Sequence, residues 1–292
     1  MQNEFRSKKP AAKNDEKVRN NSMNKKVVIM GAGGRMGRTL IRCLLEKRIE
    51  GLELFGAVDL WDDEQLGMDA GQANGLSNCG VKITCNLEPI VPNADVVIDF
   101  SYHVGSAGNA ERIAEWGAAW IIGTTGYTED ELSLIDEASK KIPIVRSGNM
   151  SLGINLLCML VEEGAKALNG RNYDVEVIER HHRKKIDAPS GTALMLGESL
   201  ANGYNLDLKD AKIDGRVGQP GVRSESEIGF HAVRGGDIIG DHCVLFAGDG
   251  EILELKHRAT DRDVFAIGAL QAAIWACGKN PGLYGMRDVL GI

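Results

Sequence analysis

Lys25–Gly37 reads K-K-V-V-I-M-G-A-G-G-R-M-G. Four consecutive apolar residues make Lys25–Met30 a short buried strand. Gly31–Gly37 is then a glycine-rich turn, and Arg38–Lys47 continues as a helix. A glycine cluster carries meaning when it follows a strand and opens a helix. Gly31 allows the tight turn, and Gly33 lets the backbone approach an anion. The helix start adds free N–H groups and the positive end of its dipole. The spacing is G-x-G-x-x-x-G, with Met36 in the sixth position and the third glycine at Gly37. Gly31, Ala32, Gly33, Gly34, Arg35 and Met36 are the candidates to line a dinucleotide pyrophosphate.

Further strands and helices alternate outward from this turn. Leu52–Val58 is a second strand ending at Asp59, and Asp95–Phe100 a third, followed by a helix near Gly108–Trp116. Trp120–Ile122 precedes the turn Gly123–Gly126. Thr128 caps a helix reaching about Lys141, with Glu131 as its capping-box partner. Ile142–Val145 is one more strand. Short apolar strands alternating with helices predict a parallel α/β sheet, a Rossmann-like dinucleotide-binding domain. Asp59 stands where a carboxylate accepts from ribose hydroxyls. The next residue is Leu60, with no fork of positive charge for a 2′-phosphate, although Arg35 and Arg38 are near. NADH is therefore expected in preference to NADPH, with dual use possible. Gly123, Thr124 and Thr125, and Ser147, Gly148, Asn149 and Met150, follow strand ends, where ligands bind in open α/β sheets.

The pattern changes after about Ser151. Ile154–Leu168 is a long amphipathic helix, Asp174–Glu179 an alternating strand, and Thr192–Ala201 a helix. Glu227–Arg234 and Ile238–Ala247 flank Gly235-Gly236, and Asp249-Gly250 leads into Glu251–Ala259. Gly-Gly and Asp-Gly dipeptides signal hairpins. A second α+β domain with an open mixed sheet follows, and such a sheet favours self-association. Val264–Cys277 is an apolar helix that can pack back on the first domain. The expected division is 1–22 as a disordered tail, 23–151 with 263–292 for the dinucleotide, and 152–262 for substrate and oligomerisation.

Composition narrows the class. The chain has 292 residues with a net charge of −7, which argues against a nucleic-acid surface. No apolar run reaches the ~18–20 residues of a membrane span. The six cysteines form no C-x-x-C pairs, so free thiols in a reducing, cytoplasmic compartment are expected, with no metal site. Residues 1–22 hold Arg6, Lys8, Lys9, Lys13, Lys17 and Arg19 with almost no apolar residues. Such a stretch cannot build a core. It lacks the apolar region of a secretory signal, and Glu4, Asp15 and Glu16 argue against a transit peptide. Met23 directly precedes the first strand, which makes the tail an upstream extension.

Arg180–Ala193 reads R-H-H-R-K-K-I-D-A-P-S-G-T-A. Five basic or imidazole side chains run from His181 to Lys185. Ser190 is a natural N-cap, and the N–H groups of Gly191 and Thr192 form an anion site at the helix start. A cationic loop beside such a site implies a small acidic substrate. The loop also holds proton donors: histidine near neutral pH, and lysine once neighbouring cations lower its pKa.

H-H-R-K-K-x-D-A-P-S-G-T-A, with G-A-G-G-R-M-G-R, G-T-T-G and the closing M-R-D-V-L, resembles the dihydrodipicolinate reductase family of the bacterial diaminopimelate–lysine pathway. The resemblance runs from about Lys25 to the C-terminus. It implies reduction of a small dicarboxylate substrate, 4-hydroxy-tetrahydrodipicolinate, to tetrahydrodipicolinate with NADH or NADPH. It assigns His181 as acid/base, Lys185 as proton donor, His182 as a substrate contact, and Gly191 and Thr192 as holders of a carboxylate. It also implies a homotetramer built through the open sheets. The family position matching Leu60 is often Arg, and Met150 stands where an aromatic is common, which alters stacking over the nicotinamide. Arg262 lies where a basic substrate contact is plausible. Two rivals compete with this reading. An amino-acid dehydrogenase of similar build would lack the H-H-R-x-K loop. A nucleotide sensor would have no use for His181, His182 and Lys185 beside an anion site.

Overall fold

The computed structural model describes residues 24–60 and 64–292. The expected tail, 1–22, lies outside them. Two sheets organise the chain. The first is built from β1 (Lys25–Met30), α1 (Arg35–Leu45), β2 (Leu52–Val58), α2 (Ala70–Ala73), β3 (Ile83–Thr84), β4 (Val96–Asp99), α3 (His103–Gly108), α4 (Ala110–Trp116), β5 (Ala119–Ile122), α5 (Glu129–Ser139) and β6 (Pro143–Arg146). The second comprises α6 (Leu152–Leu168), β7 (Asp174–His181), α7 (Gly191–Tyr204), α8 (Leu208–Ala211), β8 (Lys212–Asp214), β9 (Ile228–Arg234), β10 (Gly240–Gly248) and β11 (Glu251–Ala259). The chain then returns to the first sheet through α9 (Asp263–Ala276), β12 (Gly282–Tyr284) and α10 (Met286–Leu290).

The first sheet is wholly parallel, in the order β12-β6-β5-β4-β1-β2-β3. Both of its faces are covered, which is why the central runs Val27–Met30, Val96–Ile98 and Ala119–Ile122 are wholly apolar. Val27, Ile29 and Ile121 pack with residues of α1 and α9, while Val28, Met30, Trp120 and Ile122 pack with residues of α4 and α5. The apolar Val264–Cys277 segment does fold back here, as α9. β1 lies between β4 and β2, so the chain reverses its winding direction at the carboxyl end of β1, where such sheets bind ligands.

Two glycines shape that end. Gly31 has φ +78°, and a Cβ there would lie 2.8 Å from the carbonyl oxygen of Phe100. A Cβ on Gly37 would lie 2.0 Å from the Gly31 carbonyl oxygen. The third glycine of the motif is thus fixed by close packing of α1 on its own entry turn. The capping box on α5 is present: Thr128 N donates to Glu131 Oε2 at 2.8 Å, and Glu131 N to Thr128 Oγ1 at 3.3 Å.

The second sheet is mixed, in the order β11-β10-β7-β9-β8. Val175, Val177, Ile228, Phe230, Val244 and Phe246 pack against Leu157 and Val161 of α6 and Leu196 and Leu200 of α7. Asp249-Gly250 forms the expected hairpin, with Gly248 paired to Glu251 across the turn. Gly235-Gly236 does not. β7 inserts between β9 and β10, parallel to the first and antiparallel to the second. The backbone of β7 gains partners on both edges this way. The two glycines instead cross the end of β7: Gly235 N donates to His181 O at 2.9 Å, and Arg183 N to Gly236 O at 3.2 Å. All six cysteines are free. Cys43, Cys158 and Cys243 are buried, whereas Cys85 is exposed. Among the described residues, no helix is long and apolar enough to cross a membrane.

Candidate active site

The glycine turn spends its first donors internally. Gly31 N and Ala32 N both donate to Val58 O, at 2.9 and 3.0 Å, and Gly34 N to Gly31 O at 3.1 Å. Gly33 N donates to Asp59 Oδ2 at 2.5 Å, and Leu60 N to Asp59 Oδ1 at 2.8 Å. The Gly33 amide that was expected at the anion is therefore held by the carboxylate of Asp59. The N-cap of α1, Gly34, contributes no side-chain bond. The first-turn amides of Arg35 and Met36 are left without an intrahelical partner and can bind an anion. A dinucleotide fits this turn: the bare helix start would hold the pyrophosphate, and a carboxylate ends the next strand. Leu60 is 60% exposed. Arg38 Nε donates to Gly33 O at 2.9 Å.

The two small-residue segments meet. Thr124, Thr125, Gly126, Tyr127, Arg146, Ser147 and Gly148 line one cleft of about 350 Å³. Met150 departs from expectation. It is 1% exposed and lies in the first core, so its side chain offers no face for stacking on a nicotinamide. Beneath the cleft sits Asp99, which is fully buried. It accepts from Ser101 Oγ at 2.6 Å, Ser106 Oγ at 2.7 Å and Thr124 Oγ1 at 3.3 Å. Burial pushes its carboxyl up. Ser106 also bonds Tyr127 at 2.6 Å, and burial pushes that phenol up to about 12. Asp99, Tyr127 and Arg146 were not singled out from sequence. An Asp closing an apolar strand ahead of a Ser was the available signal for the first.

The end of β7 carries the second half. His181 is 8% exposed, and its Nδ1 lies 2.6 Å from Glu179 Oε2. The His242 ring packs edge-on at 5.0 Å. His182 faces elsewhere, into a cleft of about 630 Å³ shared with Arg35, Arg183, Lys184 and Arg262 and with one acidic residue, Asp237. Arg35 enters from α1, so this cleft lies where the two sheets' elements meet. His182 Nδ1 is buried without a partner. Burial pushes its imidazole down, and the charges of Arg262, His181, Arg35 and Lys185 add to this. A neutral histidine among cations suits an anionic substrate. Lys185 Nζ pairs with Asp187 Oδ1 at 2.9 Å, so its surroundings are not purely cationic, as the basic run had implied.

Ser190 caps α7 as its side chain predicts, accepting from Ala193 N at 3.2 Å. A Cβ on Gly191 would meet nothing within 4 Å, so the helix start opens to solvent. Asn149 Nδ2 donates to Thr192 Oγ1 at 2.8 Å, joining the Ser147–Met150 segment to that helix start. A Cβ on Gly148 would sit 3.6 Å from Met195 Sδ and 3.9 Å from Thr125 Cγ2. The cleft between Thr124 and Gly148 and the open start of α7 are thus neighbours.

Comparison with known proteins shows the family. The dihydrodipicolinate reductase N-terminal family matches residues 25–150, and the C-terminal family residues 153–290. A 4-hydroxy-tetrahydrodipicolinate reductase of Brucella abortus is 47% identical over 266 residues, covering 91% of this chain and 98% of its own. One from Rhodopseudomonas palustris is 46% identical over 267 residues, covering 91% and 97%. A dipicolinate-bound dihydrodipicolinate reductase from Paenisporosarcina shares the fold at a TM-score of 0.72, with 24% identity over 91% of this chain and 99% of that one. An amine dehydrogenase of Mycobacterium smegmatis shares it more loosely, with a TM-score of 0.55 and 13% identity over 89% and 94%. The chain belongs to the dihydrodipicolinate reductase family.

Proposed function

We propose that this chain reduces 4-hydroxy-tetrahydrodipicolinate to tetrahydrodipicolinate with NAD(P)H, using the loop from His181 to Thr192 for proton transfer and carboxylate binding. The observation that carries this reading is the Asn149–Thr192 bond, which brings a nicotinamide-sized wall beside an open helix start. When bound, the nicotinamide supplies the hydride. Water leaves the substrate ring, one unsaturated carbon gains the hydride, and its neighbour gains a proton. His181 serves as acid/base and Lys185 as proton donor. His182 contacts the substrate, with Arg35 and Arg262 adding charge around it. Gly191 and Thr192 hold one carboxylate by backbone N–H groups and the helix dipole. The protein's part is orientation and fixed charge.

Gly31 to Met36, Asp59, Gly123 to Thr125 and Ser147 to Asn149 hold the cofactor in this reading. Asp59 and Leu60 favour NADH, with NADPH as a second donor. Residues 23–151 and 263–292 carry the dinucleotide, and 152–262 the substrate and self-association. The face of the second sheet away from α6 and α7 bears exposed Val233 and Ile252, which supports a homotetramer formed through it. Free thiols and the biosynthetic role support a cytoplasmic site. The test is oxidation of NADH with substrate generated in place from pyruvate and aspartate semialdehyde. Turnover supports the reading, whereas tight NADH binding without turnover favours a sensor.

A further inference from the structure

One buried carboxylate holds the whole proton-transfer loop without lining either cleft. Glu179 is 1% exposed and precedes His181 by two residues, so both side chains leave the same face of β7. It accepts from His181 Nδ1 at 2.6 Å and from Ser190 N at 3.0 Å. Arg234 grips it with two parallel bonds of 2.7 Å, one from Nη1 to Oε2 and one from Nη2 to Oε1. Arg234 is the register partner of His181 across the β7–β9 pairing, and its Nη2 also donates to Asp187 O at 2.7 Å. Strand end, loop and helix start therefore converge on a single group.

The chemistry of the contact fixes a proton. An ionised carboxylate can only accept, so the neutral His181 ring must carry its hydrogen on Nδ1. Its Nε2 then holds the free lone pair. That nitrogen makes no hydrogen bond among the described residues. Gly240 lies against it, where a Cβ would stand 3.3 Å away, so no side chain at that position crowds the nitrogen. We infer that Glu179 is the positioning residue for His181: it sets the Nδ1–H tautomer and, through Ser190 and Arg234, locks residues 182–190 to the start of α7. The inference rests on the reading of His181 as acid/base. Burial would push the Glu179 carboxyl up, but the bonds from His181 and Arg234 hold it at about 2, so it stays ionised at neutral pH.

Glu179→Gln keeps the size of the side chain and an oxygen for Ser190 and Arg234. It turns an amide N–H toward Nδ1, which moves the ring proton to Nε2. We expect kcat to fall about 100-fold with the NADH KM changed less than about twofold. In a His181→Ala background the same change should cost less than about threefold, because the group acts through the missing ring. Nitrogen-15 spectra of labelled histidine should show neutral His181 protonated at Nδ1 in the wild type and at Nε2 in the variant. A wild-type ring protonated at Nε2 overturns the inference whether or not the variant folds. Equal costs in the two backgrounds also overturn it, because Glu179 then acts only as a structural brace. A His181→Ala enzyme with wild-type kcat removes the acid/base reading itself and the positioning role with it, an outcome distinguishable from the other two.

Discussion

Asn149 Nδ2 and Thr192 Oγ1 lie 2.8 Å apart, one after the last strand before α6 and the other in the first turn of α7. Asn149 is itself fully engaged. Its Oδ1 accepts from Ser151 N at 2.8 Å, and its carbonyl accepts from Ser147 Oγ and Asn155 Nδ2, both at 2.8 Å. The bond therefore anchors the helix start to a rigid segment rather than to a mobile one. Thr192→Val removes the hydroxyl at nearly constant volume. A lost hydrogen bond is worth about 1 kcal/mol, so the substrate KM should rise about fivefold. The NADH dissociation constant should stay within about twofold, as read by fluorescence titration.

Asp59 both organises the glycine turn, through Gly33 N, and stands where ribose hydroxyls are expected. Asp59→Ala should raise the NADH KM by about tenfold or more, in line with the 1.5–3 kcal/mol typical of hydrogen bonds to charged groups. NADPH should suffer less, because the same change removes the negative charge facing a 2′-phosphate. The ratio of kcat/KM for the two cofactors measures this directly. An unchanged ratio would place cofactor choice elsewhere, with Arg35 or Arg38 the next residues to vary.

The second domain should weaken in mild acid. Burial pushes the His242 imidazole down to about 3, with the charge of His181 adding to the effect. Its Nε2 lies 3.1 Å from Ser190 Oγ. The folded protein thus refuses a proton that the unfolded chain takes near pH 6.5. The stability it contributes is complete above that pH and is lost as pH falls toward 3, by about 2 kcal/mol at pH 5. Two carboxylates add a second phase. Burial pushes Glu176 and Glu179 up, but the bonds from Arg216, His231 and Arg223 to the first, and from His181 and Arg234 to the second, hold both at about 2. Their contribution is present above the ordinary range near 4.5 and falls away below it. Urea unfolding from pH 7 to pH 3 should show both phases. His242→Leu should remove the slope between about pH 6.5 and 4.5 and leave only the carboxylate phase below it, and an unaltered slope above about pH 4.5 would assign that phase to another group.

The first sheet was readable because a strand covered on both faces carries an unbroken apolar run, as Val27–Met30 in β1, Val96–Ile98 in β4 and all of β5 do. Two-residue β3 and three-residue β12 were not, since their pairing is imposed by neighbours rather than by pattern. The Gly-Gly dipeptide looked like a hairpin because its local chemistry is the same. Only the insertion of β7 between β9 and β10 shows that it laps a strand end. At the site, the helix-capping Ser190 and the basic loop were legible as motifs. Glu179, Arg234, Asp99 and Tyr127 were not, because each matters through a partner distant in sequence or behind the surface. Arg234 reaches Glu179 across 55 residues, and Thr124 reaches Asp99 across 25. Met150 was misplaced for a related reason: its segment lines a cleft while its own side chain turns into the core.

The most direct test is the single-turnover and steady-state kcat of His181→Ala and Lys185→Ala with substrate supplied in place, alongside their NADH dissociation constants. Removal of a group that acts only in proton transfer lowers kcat without altering cofactor binding. Each variant should lose about 100-fold or more in kcat and bind NADH within about twofold of the wild type. A kcat close to wild type in both variants would contradict the assignment of proton transfer to this loop.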